Sequence, residues 1–329
     1  MLLAPSFASL GVLDAAATAA RLPWSDLADE IAALLQDHTV VVPQRAVLPL
    51  ARAGSLFVMP ATDQSVAMTK LITFTPGNAG TGRPSIQGDV VVFDIATGER
   101  RLVLDGPTVT ARRTAAVSLL AARHLAQVPH GPMLIVGAGV QGLAHAEAFI
   151  HGLDVREVWI ASRSNASAEA LAAKVRDLGA QARVVADADA AVAHCPLIAT
   201  CTTASAVVLS APPRPDAFVA AVGAFTPTMA ELAPALCQHV ARHGRIVVDT
   251  SDALHEAGDL LQAGLDVAAL PTLGDVVRGL HAAATTQHSG PVLFKSCGWG
   301  GWDLAAARLA LRCASQAPAS VAPLPTPSA

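Results

Sequence analysis

The chain contains no tyrosine, and its aromatic residues amount to 4% of 329 positions. Proton donation by a tyrosine–lysine pair is thereby excluded from its chemistry. Charge is equally sparse: Asp, Glu, Lys and Arg together make up 15%, the formal net charge is −4, and cationic residues never run longer than two in a row. A protein with no basic stripe has nothing to neutralise phosphate backbones or anionic headgroups, so neither nucleic acid nor membrane is an expected partner. No uninterrupted apolar run reaches the roughly 18 residues that a membrane-spanning helix needs. Before Arg21 there is no Lys or Arg, and Asp14 interrupts the leading apolar stretch, a pattern unlike a signal peptide that leads us to expect a cytoplasmic protein. Cys195, Cys201, Cys237, Cys297 and Cys313 are odd in number and form no C-x-x-C pair. They read as small hydrophobes in a reducing compartment. No metal is expected, and His145 reads as a helix-surface residue.

What the chain has in excess is apolar surface, with 52% hydrophobic residues. That predicts a core covered on both faces or a buried subunit face, and hence a homo-oligomer. The spacing of Trp24, Leu27, Ile31, Leu34 and Leu35 predicts a helix, with Ser25 available as its N-cap. Short β-like runs follow at 46–50, 55–59, 66–74, 89–95 and 101–104, the last two joined by a Thr97-Gly98 turn, and predict a mostly antiparallel α+β unit. An alanine-rich helix over 110–127 stops at Pro129, Gly131 and Pro132. Strand patterns at 133–137, 155–161, 182–185, 196–200, 217–222 and 245–249 then alternate with helix patterns at 141–151, 166–178, 188–193 and 230–236. Such alternation predicts an α/β fold, a parallel sheet with helices on both faces. A helix over 303–313 and a Pro/Ser/Ala-rich tail at 317–329, expected to be disordered, complete the chain.

The junction between strand 133–137 and its helix carries the sharpest chemical information. Leu134, Ile135 and Val136 lead into Gly137-Ala138-Gly139-Val140-Gln141-Gly142, and Leu143, Ala146, Phe149 and Ile150 continue at helical spacing. Gly137 permits a tight turn, Gly139 lets backbone approach a pyrophosphate, and Gly142 lets helix and strand pack closely. The unpaired N–H groups at the helix start then face an anion. At the end of the second strand, where an NAD site places an acid, the chain reads Ala161-Ser162-Arg163-Ser164. An arginine between two hydroxyls suits a 2′-phosphate, so NADPH is the expected cofactor and NADH the second choice. Read alone, Arg163 is also an ordinary solvated loop arginine. Thr200-Cys201-Thr202 would lie at the carboxyl edge of the sheet, beside the cofactor.

Substrate-binding candidates lie earlier. Arg45 follows Val42-Pro43-Gln44, Lys70 interrupts an apolar strand, and Arg113 opens a helix of small residues. A cation near a helix N-terminus is disfavoured by the dipole, so Arg113 suggests a neighbouring anion. Together the three would form a carboxylate clamp; singly, each also reads as a surface residue.

Several segments, in order, carry a family resemblance: Lys70, Phe93-Asp94-Ile95-Ala96-Thr97-Gly98-Glu99, Arg113-Thr114-Ala115-Ala116 after Asp105-Gly106 and Thr110, the Gly137 loop, and Lys295-Ser296-Cys297-Gly298 before Asp303-Leu304-Ala305. The chain resembles the ornithine cyclodeaminase and mu-crystallin family from about Phe7 to Cys313. The resemblance implies a homodimer in which a substrate-binding and dimerisation domain, 1–127 completed by a helix at 301–316, holds an inserted Rossmann domain at 128–300. It further implies that Arg45, Lys70 and Arg113 hold a substrate carboxylate with Thr114 beside them, Lys70 also near the reacting carbon. Val222, Gly223, Ala224 and Ser296 would join the cofactor site. Members that cyclise ornithine carry an Asp where this chain has Phe225, and without that carboxylate cyclodeamination lacks its base. Gly223-Ala224-Phe225-Thr226-Pro227 instead resembles the branch reducing cyclic ketimines, Δ1-pyrroline-2-carboxylate and Δ1-piperideine-2-carboxylate, to L-proline and L-pipecolate. Phe225 would then be an apolar wall toward the ring, although plain core packing suits either chemistry. The expected reaction is hydride transfer from NAD(P)H to the imine carbon of a small cyclic imino acid, with Lys70 or a water it orients as proton donor. Ornithine cyclodeaminase, alanine dehydrogenase and a non-catalytic NADPH-binding protein akin to mu-crystallin are the alternatives.

Overall fold

The computed structural model describes residues 11–78, 81–203, 206–280 and 290–316. The tail expected at 317–329 lies outside them. The first part of the chain forms β1 (Gly11–Val12), α1 (Ala15–Ala20), α2 (Trp24–Gln36), β2 (Ala46–Pro49), β3 (Ser55–Thr62), β4 (Val66–Phe74), β5 (Ile86–Asp94), β6 (Arg100–Asp105) and α3 (Gly106–Leu125). Its strands pair in the order β1-β6-β5-β4-β3-β2, antiparallel except for β1 with β6. The period of two is clean in β4, where Val66, Met68, Lys70 and Ile72 are buried and Leu71 is exposed. That alternation places a lysine among apolar residues on the core face, where a charge must find a partner.

The second part forms β7 (Met133–Val136), α4 (Val140–Leu153), β8 (Glu157–Ala161), α5 (Asn165–Asp177), β9 (Gln181–Val184), α6 (Ala188–Val192), β10 (Leu197–Thr200), β11 (Phe218–Ala221), α7 (Pro234–His243), β12 (Arg245–Val248), α8 (Ala253–Glu256), α9 (Gly258–Gln262), α10 (Leu273–Val277) and β13 (Val292–Lys295). Seven parallel strands run β9-β8-β7-β10-β11-β13-β12. Every residue of β7, β10, β11 and β13 is buried, the continuous apolar run of strands covered on both faces. The chain then returns to the first sheet through α11 (Gly300–Gln316), which packs on α2, α3, β3 and β4.

Helix α3 explains its own alanine content. It touches α2, α4 and α11, strand β5 of the first sheet, and β11 and β13 of the second. A helix enclosed on all sides has no polar face to keep, and small side chains let its neighbours approach. Ala115, Ala116, Ala121 and Ala122 are accordingly fully buried.

Several expectations change here. Ser25 does not cap α2; Pro23 holds that position, and the Ser25 hydroxyl accepts from Arg123 Nη2 at 2.9 Å. Helix α3 starts at Gly106 rather than 110 because the Asp105 carboxylate caps it, accepting from the Thr108 amide at 2.8 Å. Arg113 therefore lies past the first turn, and the dipole argument lapses. Helix α7 starts at Pro234 instead of 230, since the amides of Glu231 and Leu232 donate to Asp259 at 2.6 and 2.9 Å and hold that run out of the helix. Strand β13 gave no recognisable pattern, being four residues that end on a lysine. His145 is not on the surface. It is fully buried, with Nδ1 2.8 Å from the Gln141 carbonyl oxygen and Nε2 3.0 Å from Ser118 Oγ, and burial pulls its pKa down to about 4. His239 and His243 form an i, i+4 pair on α7 with rings 4.7 Å apart, and no group of three metal-ligating side chains occurs among the described residues. All five cysteines are free, and no described helix is long and apolar enough to cross a membrane.

Candidate active site

At the carboxyl edge of the parallel sheet the glycine loop has the shape its spacing predicts. Gly137 adopts φ +115°, a region that disfavours side chains, and its amide donates to the Ala161 carbonyl at 2.8 Å. A Cβ on Gly142 would come within 2.0 Å of the Gly137 carbonyl oxygen, so helix and turn meet only through glycine. Gly139 begins α4 without a side-chain cap and faces open space, and Val140 beside it is exposed. First-turn N–H groups left uncapped in this way are an anion site. Past β8, Ser162, Arg163 and Ser164 follow in the loop; Ser164 caps α5 by accepting from the Ser167 amide at 3.2 Å. Arg163 is exposed and makes no ion pair among the described residues.

The neighbouring strand ends are held by a carboxylate that sequence reasoning missed. Glu231 is fully buried and accepts from the Thr202 amide (2.6 Å), Thr202 Oγ1 (2.8 Å), Thr200 Oγ1 (2.9 Å) and the Gly223 amide (2.6 Å). Burial pushes its pKa up, against the pull of Lys295. Lys295, at the end of β13, is itself buried and lies 2.7 Å from Asp259. The hydroxyls of Thr200 and Thr202 thus brace the edge. Cys201 and Ala224 are buried, and Val222 packs against the core. Ser296 likewise donates to Asp249 Oδ2 at 2.9 Å, and the same oxygen accepts the amides of Cys297 and Gly298, each at 2.8 Å. Asp249 in this way fixes the turn that leads into α11.

That turn meets cations from the first part of the chain: Lys70 on β4, Arg113 on α3 and Arg45 just before β2. The Arg113 guanidinium packs over Gly298, where a Cβ would stand 3.1 Å from Nη1. Asp303 on α11, fully buried, lies 3.4 Å from Arg113 Nε and 2.7 Å from Lys70 Nζ. Lys70 is 1% exposed. Burial pulls its pKa down to about 8, with Asp303 opposing and Arg113 and Arg45 reinforcing the fall. Arg45 lines a cleft of about 330 Å³ together with Met59, Gly298 and Trp299, and ion-pairs with Glu256 at the end of α8. Met59 is the strand partner of Lys70, so the cleft runs along the wall behind which Lys70 and Arg113 are buried. All three cations thus converge, with one buried carboxylate between two of them.

Of the predicted substrate contacts Arg45 alone lines this cleft; Lys70 and Arg113 lie behind its wall, and Thr114 and Phe225 are directed elsewhere. The Thr114 hydroxyl donates to its own helix, to the Thr110 carbonyl at 2.8 Å. Phe225 is half-buried against the core of the parallel sheet, not among the cleft-lining residues. Gln141 reaches back toward the Thr110 carbonyl at 3.5 Å. Of the site's acids only Asp303 lies in a segment that carries the family resemblance; no local pattern marks Glu231, Asp249, Glu256 or Asp259.

Comparison with known proteins shows the fold and the family. A Δ1-pyrroline-2-carboxylate reductase of Burkholderia multivorans is 39% identical over 303 residues, covering 91% of this chain and 94% of that protein. Ketimine reductase mu-crystallin of Mus musculus is 37% identical over 83% of this chain and 85% of its own. The structure of Thermococcus litoralis Δ1-pyrroline-2-carboxylate reductase in complex with NADH and L-proline aligns with a TM-score of 0.85 over 93% of this chain and 98% of that one, a likeness of fold at 22% identity. The model of the ornithine cyclodeaminase/mu-crystallin family matches residues 12–316, and with the glycine loop, the parallel sheet and the converging cations in place, the chain belongs to that family.

Proposed function

We propose that the protein is an NAD(P)H-dependent ketimine reductase, which converts Δ1-pyrroline-2-carboxylate to L-proline and Δ1-piperideine-2-carboxylate to L-pipecolate. The observation that carries this reading is the grouping of Arg45, which lines the cleft beside the carboxyl edge of the parallel sheet, with Lys70 and Arg113, which lie buried behind its wall around Asp303. The names of the most similar relatives support it. Two arginines and a lysine hold a planar carboxylate by charge-assisted hydrogen bonds and fix the ring's orientation, which supplies much of the rate. Lys70 then gives its proton to the imine nitrogen. With a pKa near 8 it is mostly charged at neutral pH and yet acidic enough to donate.

The glycine loop, the uncapped start of α4 and Arg163 fit a dinucleotide. The loop would hold the pyrophosphate and Arg163 the 2′-phosphate, with Ser162 and Ser164 beside it, favouring NADPH over NADH. When bound, the reduced nicotinamide supplies the hydride. The braced edge at Thr200, Thr202 and Gly223 keeps that side of the site rigid. The first sheet with α11 would serve as the substrate-binding and dimerisation domain. Its outer face presents Leu48 and Leu71, 48% and 45% exposed, beside Leu56 and Val58, an apolar strip suited to a second copy.

Nicotinamide oxidation followed with each cyclic imine, with pyruvate plus ammonia, and without substrate tests the reading. Turnover with the imines is expected; formation of alanine alone, or release of ammonia from ornithine, overturns it. Arg163→Ala should raise the KM for NADPH about tenfold, the size of one lost charge-assisted contact, and leave that for NADH nearly unchanged.

A further inference from the structure

The Arg45–Glu256 pair spans the cleft, joining the segment before β2 to the end of α8 beyond the parallel sheet. Each side chain keeps about a fifth of its surface open, 20% for Arg45 and 22% for Glu256. An arginine offered to a ligand carboxylate is thus already holding a carboxylate of its own chain. We infer that Glu256 is the resident occupant of the carboxylate subsite, a specificity-setting residue that a 2-carboxylated ring exchanges off Arg45 and that takes up a proton as it leaves. The inference rests on the carboxylate-clamp reading above.

At Arg45 the exchange breaks one ion pair and forms another, so little of the ligand's intrinsic attraction is left as net affinity. What decides the outcome is the fate of Glu256. Asp252 and His255 line the same cleft, and Asp249 and Cys297 lie close enough to act on it. Burial, Asp249 and Asp252 all disfavour its charged form, while Arg45 favours it, and the balance already pushes its pKa up to about 7. Once Arg45 turns to a ligand the favourable member is gone and a second carboxylate stands in its place. Glu256 then binds a proton. A ligand without a carboxylate gains nothing from the exchange, which makes the subsite selective for anions.

The sign follows. Above about pH 7 the free enzyme carries ionised Glu256 and the complex carries it protonated, so affinity for a carboxylate falls by up to tenfold per pH unit. The test is calorimetric binding of pyrrole-2-carboxylate, whose single carboxylate stays ionised throughout, to the full-length NADPH-saturated protein between pH 6 and 9 in buffers of different ionisation enthalpy. Wild type should take up a proton on binding. Glu256→Gln should bind about tenfold more tightly at pH 8 and lose the dependence that sets in near neutrality, retaining only that of Lys70 near pH 8. Glu256→Asp, which still titrates, should keep a neutral limb. Equal affinity and slope in Glu256→Gln and wild type overturns the inference and leaves the clamp standing; no binding to wild type at any pH overturns both.

Discussion

Two buried lysines, one on each sheet, make the same bond and do opposite things. Lys70 lies 2.7 Å from Asp303 and Lys295 lies 2.7 Å from Asp259, and all four side chains are at most 1% exposed. Burial lowers the pKa of both lysines. Around Lys70 the next charges are Arg113 and Arg45, which deepen the fall to about 8; around Lys295 the next is Glu231, which joins Asp259 in raising it overall. The distance to the nearest carboxylate therefore does not say what a buried lysine is for. The second ring of charge does: surplus cations lower the Lys70 pKa, as the proposed proton donor requires, and surplus acid holds Lys295 as a strut between β13, α9 and the Ala221 carbonyl, 3.4 Å away.

The comparison breaks most easily at the lysines themselves. Lys70→Met should cut ketimine reduction by about 10²–10⁴, the usual worth of a positioned acid, and leave NADPH binding by fluorescence intact. Lys295→Met should leave buried Asp259 and Glu231 without their cation, a loss of about 3–5 kcal/mol read as a lowered unfolding midpoint. Near-normal turnover in Lys70→Met, or an unchanged midpoint in Lys295→Met, would erase the distinction.

How far this contrast was legible in the sequence depends on how local its cause is. The parallel sheet was readable because strands apolar on both faces leave unbroken runs, and the Gly137 loop because each glycine answers a separate steric demand. Lys70 stood out because a lysine at an inward strand position is anomalous by itself. Its counter-charges did not. Arg45 and Glu256 are 211 residues apart, so only the assembled fold pairs them. The helical spacing around Glu231 predicts a helix there; Asp259, 28 residues on, takes its amide and keeps it out. Nothing local to Thr200, Thr202 or Ser296 signals that buried acids hold their hydroxyls.

The acids give a sharper cut than the lysines. Asp303 holds up the Lys70 pKa, so Asp303→Asn should move it below 8 and carry the alkaline limb of kcat/KM toward lower pH. KM should rise as well, because Arg113 loses its anchor. Asp259→Asn should lower the unfolding midpoint and leave that limb in place. Equal displacement of the limb by both variants would mean that the two pairs report a common structural loss rather than separate charge environments.

The smallest expected effect is also the most direct reading of the sign. Lys70 has a folded pKa below its ordinary 10.5, so between about pH 8 and 10.5 the unfolded chain binds more protons at this site and stability rises with pH. Buried thiols oppose this, since burial pushes Cys195 and Cys237 up to about 12 and unfolding releases their protons. The difference between wild type and Lys70→Met cancels the thiols and isolates the lysine. Wild type should therefore gain on Lys70→Met by about 1 kcal/mol per pH unit, the linkage limit for one proton, as pH rises from 8 to 10. The corresponding difference for Lys295→Met should stay flat over that range, because a lysine raised above 10.5 is charged in both states. A parallel rise in both differences would place the two lysines in the same electrostatic class, whatever their neighbours.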